Sequence, residues 1–110
     1  MNPEGRRLDA VADWDGSEEL TEVLVSAAGA TIERIVSRGH TTDWCDQNHD
    51  EWVLVHQRAA TLEYEDGTET ELLAGDAVLL PAGCRHRVVW TDPDRLTVWL
   101  AVHLSPSQGP

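Results

Sequence analysis

From Ala30 to Leu104, turn chemistry interrupts the chain at short, regular intervals. This cadence constrains the fold more than any other feature of the sequence. Asp66-Gly67 is a hairpin signal, because glycine accepts the left-handed backbone that a two-residue turn requires. Ala74-Gly75-Asp76, Pro81-Ala82-Gly83 and Asp92-Pro93-Asp94 are further turns. The stretches between them read as strands: Ala30 to Ser37, Glu51 to Gln57, Ala60 to Glu65, Thr68 to Leu73, Ala77 to Leu80, Cys84 to Trp90 and Leu96 to Leu104. Many short strands separated by Gly and Pro turns argue for an antiparallel sandwich or barrel. No internal repeat is present.

The segment Ser17 to Ala28 supports two readings. Leu20, Val23, Leu24, Ala27 and Ala28 fall at helical spacing, with Ser17 as N-cap and Gly29 as stop. The run Val23-Leu24-Val25 reads instead as a strand. The helix is the expectation carried forward. Residues 1–16 are polar and acidic, with Trp14 their one large apolar group, and read as a lead-in arm or an edge strand. Residues 17–104 are the expected domain, and 105–110 read as a frayed tail. A chain of 110 residues is one domain by length, large enough for a core without staples.

Charge narrows the function. The chain carries 8 basic and 20 acidic residues, a formal net charge of −12, and every basic residue is arginine. Nucleic acid and anionic lipid attract basic patches, so neither is an expected partner. Without lysine there is no Schiff base and no P-loop. No segment approaches the roughly 18–20 apolar residues of a membrane span, and Arg6-Arg7 is not followed by the apolar region of a signal peptide. Cys45 and Cys84 are too few for a disulfide scaffold, so a cytoplasmic protein with free thiols is expected.

The sharpest chemical signal is a frame. Gly75, Pro81, Gly83 and His86 stand at the spacing G(x)5PxG(x)2H, with Trp90 four positions later. Gly75 and the Pro81-Ala82-Gly83 turn end one strand and start the next, which then points His86 inward. This frame resembles the second motif of the cupins, G(x)5PxG(x)2H(x)3N, with Trp90 in place of the final Asn. The first cupin motif, HxH(x)3–4E(x)6G, anchored on Glu51, places Cys45 and Gln47 at the two histidines and Arg58 at the glycine. Cys45, Gln47, Glu51, Val53 and Val55 share one parity, so a continuous strand would point them all inward. The chain is similar to small single-domain bacterial cupins from Ser17 to Leu104. Further matching stretches are Ile32 to Gly39, Leu62 to Gly67, Cys84 to Val88 and Trp99 to His103.

The resemblance implies an all-β fold, an antiparallel double-stranded β-helix or cupin barrel with a short N-terminal arm or helix. It implies a divalent metal (Zn, Fe, Mn or Ni) on Gln47, Glu51 and His86, with His49 or Cys45 as further ligands. A carboxylate inside a barrel needs a cation or hydrogen bonds, which makes Glu51 a metal ligand or a general base. Gln47 is otherwise a polar residue that orients substrate. Tyr64 and His103 are the other catalytic candidates, with His103 expected to face the cavity beside Trp99. His56 has the outward parity. Cys45 and Cys84 each precede a candidate ligand by two residues and read as inert thiols, metal ligands or a reactive pair.

Two functions follow from the resemblance. One is a metal-assisted enzyme of the isomerase, lyase or oxygenase type acting on a small organic molecule. The other is a non-enzymatic binding module with a degenerate metal site, favoured by the departures at Cys45, Gln47, Arg58 and Trp90. A homodimer is expected, since exposed sheet edges favour pairing.

Overall fold

The computed structural model describes residues 2–105, and the expected tail beyond Ser105 lies outside them. The described residues contain eight strands and no helix: β1 (Leu20–Ala27), β2 (Ala30–Ser37), β3 (Asp50–Gln57), β4 (Ala59–Tyr64), β5 (Glu69–Leu73), β6 (Ala77–Leu80), β7 (His86–Thr91) and β8 (Thr97–Leu104). They form a 5-stranded sheet in the order β1-β2-β8-β3-β6 and a 3-stranded sheet in the order β5-β4-β7. All pairings are antiparallel.

The expected helix before Gly29 is a strand. Ala28 and Gly29 have φ values of 53° and 78°, the left-handed pair that closes a two-residue hairpin. The glycine therefore turns the chain back on itself instead of ending a helix. In β1, Leu20, Glu22 and Leu24 are half-buried while Val23 and Val25 are exposed, a period of two. Three of the five residues at helical spacing, Val23, Ala27 and Ala28, are thus exposed. The register slips once, between Val23 and Val25.

The sheets pack face to face. Val53, Val55, Leu80 and Trp99 of the large sheet meet Ala60, Leu62, Leu72 and Val88 of the small one. The connection between β2 and β3 completes the small sheet. Thr42 N donates to Val88 O, and Cys45 and His86 exchange backbone hydrogen bonds of 2.7 and 3.1 Å. Cys45 and Gln47 are therefore not part of β3, as the parity reading assumed. They lie on the opposite wall, along the edge of β7. Arg58, at the position of the family pattern's glycine, has a φ of 71°, the left-handed conformation in which glycine is the easiest residue to place.

On the outer face of the large sheet, Arg34 is 3% exposed. It donates to the carbonyls of Leu8 (3.2 Å) and Ala10 (2.8 Å) and to Glu22 (2.5 Å). Arg6 reaches the same carboxylate at 2.9 Å. The arm is thus strapped over β1 and β2. The Arg34 and then the Arg6 hydrogen bonds hold the Glu22 carboxyl below its ordinary range.

Two stability measurements check this description. Leu62→Ala removes a side chain that is 2% exposed between the sheets. Its expected cost is about 3 kcal/mol by denaturant unfolding. Glu22→Ala leaves the Arg34 guanidinium buried without its counter-charge, a loss of about 3 kcal/mol at neutral pH. Because the folded carboxyl titrates below its unfolded value, the Glu22 contribution is fully present above about pH 4.3. It is lost as the pH falls through the depressed folded value. The two proteins should therefore converge in stability toward low pH, and a gap that stays constant with pH would contradict the assignment.

Candidate functional site

Between the sheets, beside the apolar core, lies a cavity of about 240 Å³. Its walls include Ile35, Val53, Leu62, Leu80, Val88 and Trp99. Its polar groups come from four places in the fold: Glu33 on β2, Glu51 on β3, His103 on β8, and His86 at the start of β7. Cys45 and Gln47 of the β2–β3 connection complete this end.

His86 is where the Gly-Pro-Gly frame puts it. Gly83 has a φ of 81° and its N–H donates to Gln47 O at 2.7 Å. Ala82 N–H donates to the Asp50 carboxylate at 2.8 Å. The turn is thereby docked on the β2–β3 connection, and the strand that follows presents a histidine only 7% exposed. Its Nδ1 lies 2.9 Å from Cys84 O. A carbonyl only accepts, so Nδ1 carries the proton and Nε2 carries the lone pair. Nε2 makes no hydrogen bond among the described residues, and it is not enclosed, since the one buried unpartnered side-chain atom there is Arg34 Nε.

Glu51 is 8% exposed and stands directly opposite His103 in the β3–β8 ladder and Leu80 in the β3–β6 ladder. The Gln47 amide donates to its Oε1 at 2.6 Å. Two expected site residues thus meet, but as carboxylate and hydrogen-bond donor. Cys45 faces the same space. Cys45 is an exposed residue, but partial burial of its thiol, then the Glu51 and Asp46 charges, push it above the ordinary cysteine range, so it stays protonated at neutral pH.

The remaining expected site residues lie elsewhere. His49 lines a second pocket of about 210 Å³ with Thr31, His103, Leu104 and Ser105. His103 belongs to both spaces. Its Nε2 faces Glu33 at 3.4 Å, so Nδ1 accepts from His49 Nε2 at 2.9 Å. Tyr64 is packed against the apolar core outside the cavity lining, its hydroxyl 2.9 Å from that of Thr70. Cys84 likewise packs on the core and does not line the cavity; both cysteines are free thiols. Sequence reasoning missed Glu19, Glu33, Asp43 and Trp44, all of which line the cavity. Glu33 was legible in principle, because it shares the parity of Ile35 in β2. The others sit on irregular backbone, where parity carries no information.

The chain was compared with known proteins. No protein-family model matches it, and no curated protein does. Solved structures do. A candidate mannose-6-phosphate isomerase of Ralstonia eutropha JMP134 is 38% identical, over 94% of this chain and 100% of that one, with a TM-score of 0.86. A cupin superfamily protein of Desulfitobacterium hafniense DCB-2 is 16% identical over 86% of this chain and 84% of its own, with a TM-score of 0.73. The chain has the cupin fold. KdgF from Halomonas sp. shares the fold at 22% identity, over 86% of this chain and 89% of its own, with a TM-score of 0.71.

For a cupin, these motif positions imply a metal. Among the described residues, no group of three or more His, Cys, Asp and Glu side chains is arranged to hold one. Gln47 occupies one oxygen of Glu51, and Cys45 remains a neutral thiol. What this chain brings together is one carboxylate, one imidazole and the amide of Gln47.

The thiol offers a direct check on the electrostatics. At neutral pH, Cys45 should react with iodoacetamide more slowly than a free cysteine, because the thiolate is the nucleophile. Glu51→Gln removes a charge that disfavours the thiolate, so it should accelerate labelling by roughly two- to threefold at most, burial being the larger cause. A slower reaction in Glu51→Gln would contradict the placement of the carboxylate beside the thiol.

Proposed function

We propose that this chain is a small-molecule-binding protein whose ligand sits in the cavity between the sheets, anchored by His86 and Glu51. One observation carries the reading. His86 is 7% exposed, its tautomer is set by Cys84 O, and its remaining nitrogen is unpartnered at the cavity wall. A ligand that donates to this nitrogen gains a hydrogen bond, worth about 0.5–1.5 kcal/mol net. The surrounding apolar wall supplies the area that drives binding, while a few polar groups set orientation. About 240 Å³ corresponds to roughly eight waters of liquid volume, so the ligand is smaller than a drug-sized molecule.

The same imidazole favours a second reading, a metal-assisted enzyme. Metal-binding histidines commonly have their other nitrogen fixed by a carbonyl, as Nδ1 is here. The similarity to a candidate isomerase supports that reading, and the missing third donor counts against it.

Elemental analysis of purified protein, paired with a fragment screen followed by NMR, separates the two. The binding reading expects substoichiometric metal and fragments that shift the His86 ring signals. It further expects His86→Ala to weaken those fragments about tenfold, the equivalent of about 1.4 kcal/mol. Stoichiometric metal that disappears in His86→Ala, with turnover that depends on it, would replace the binding reading with the enzymatic one.

A further inference from the structure

Most of the charged and polar groups around the cavity accept hydrogen bonds. Four lining residues are carboxylates, Glu19, Glu33, Asp43 and Glu51, and none is Arg or Lys. Their protein partners do not bring a permanent positive charge. Ser37 donates to Glu19 at 2.7 Å, Gln47 to Glu51 at 2.6 Å, and His103 faces Glu33 at 3.4 Å. The Nε2 of His86, a residue 7% exposed, is a lone pair in the neutral ring as well. With its NH2 turned to Glu51, Gln47 has only its carbonyl left to offer. The indole N–H of Trp99 is spent on Ser37 at 3.2 Å.

None of the chain's arginines is among the residues that line this space. Arg34 is on the outer face with Leu8, Ala10 and Glu22. Arg58 pairs with Asp92 and Arg87 with Glu63. Arg38 lies over the ring of Trp14, while Arg85 and Arg87 lie over that of Trp44, 5.2 and 4.5 Å from its centre. An anionic ligand in the cavity would meet carboxylates with no compensating cation, in a setting where burial strengthens the repulsion. A ligand rich in N–H donors and carrying positive charge would satisfy Glu33, Glu51 and His86 together. The ring of Trp99 at the same wall favours a cation too.

We infer that the ligand of this cavity is a small organic cation, a protonated amine, amidine or guanidine on a short apolar body, and not a sugar phosphate or a carboxylate. The inference rests on the binding reading above and names the class of molecule for that same site.

Isothermal titration and NMR of the full chain at neutral pH test it with five probes: benzylammonium, benzyl alcohol, benzoate, mannose 6-phosphate and zinc chloride alone. Benzylammonium should shift the His86 and Trp99 signals and bind about tenfold or more tightly than benzyl alcohol, the scale of one desolvated charge contact. Benzoate and mannose 6-phosphate should leave those signals unmoved. Raising the salt should weaken benzylammonium alone. Glu33→Gln should lower its affinity severalfold and leave benzyl alcohol unchanged, and Glu51→Gln should act in the same direction. Glu33→Gln keeps the test open if the Glu51 variant does not fold.

Tighter binding of benzoate or mannose 6-phosphate in the cavity overturns the cation inference and leaves the binding reading standing. Zinc alone binding stoichiometrically at His86 and excluding the amine overturns it in favour of a metal site. If no probe moves the cavity signals, the inference and the binding reading fall together.

Discussion

A carboxylate enclosed in a β-sandwich without a paired cation is the constraint around which this molecule is arranged. Glu51 is 8% exposed, and its neighbours across the ladders are Leu80 and His103. So little of its surface is exposed that the charge depends on what the fold supplies. The main supply is the Gln47 amide, and that amide is in place only because the β2–β3 connection is stitched to β7 through Cys45 and to the β6–β7 turn through Gln47 O. The turn that positions His86 is therefore the turn that steadies the partner of Glu51. The two motifs are one structural unit seen from two stretches of sequence.

Much of the fold was legible because turn chemistry is local. Asp66-Gly67, Gly75 and the Pro81-Ala82-Gly83 turn mark strand ends wherever the rest of the chain lies, and β2 to β8 follow them closely. β1 was harder for a physical reason. An apolar set at Leu20, Val23, Leu24 and Ala27 fits a helix stripe and a half-covered edge strand about equally well. What decides is the hairpin at Ala28-Gly29, where alanine carries a conformation usually left to glycine or asparagine.

The site was legible where it sits on strands. Parity within β3 and β8 places Glu51 and His103 at the cavity, and the glycine–proline frame places His86. Cys45 and Gln47 also line it, but parity was not the cause, since a backbone bridge to the other sheet carries them there. Parity has no hold on the chain between Ser37 and Asp50, which is why Asp43 and Trp44 went unseen. His49 and Tyr64 show the opposite failure. Both are chemically suited to a site and near it in sequence, yet one opens onto a second pocket and the other packs on the core.

The attachment of the N-terminal arm has a consequence of another sort. Arg34 grips the arm through the carbonyls of Leu8 and Ala10, and every amino acid has a carbonyl. The recognition is therefore blind to the side chains at those positions, proline included. An arm held this way is free to drift in sequence while its path across the sheet stays fixed. The evolutionary burden falls on the single arginine and the glutamate beneath it.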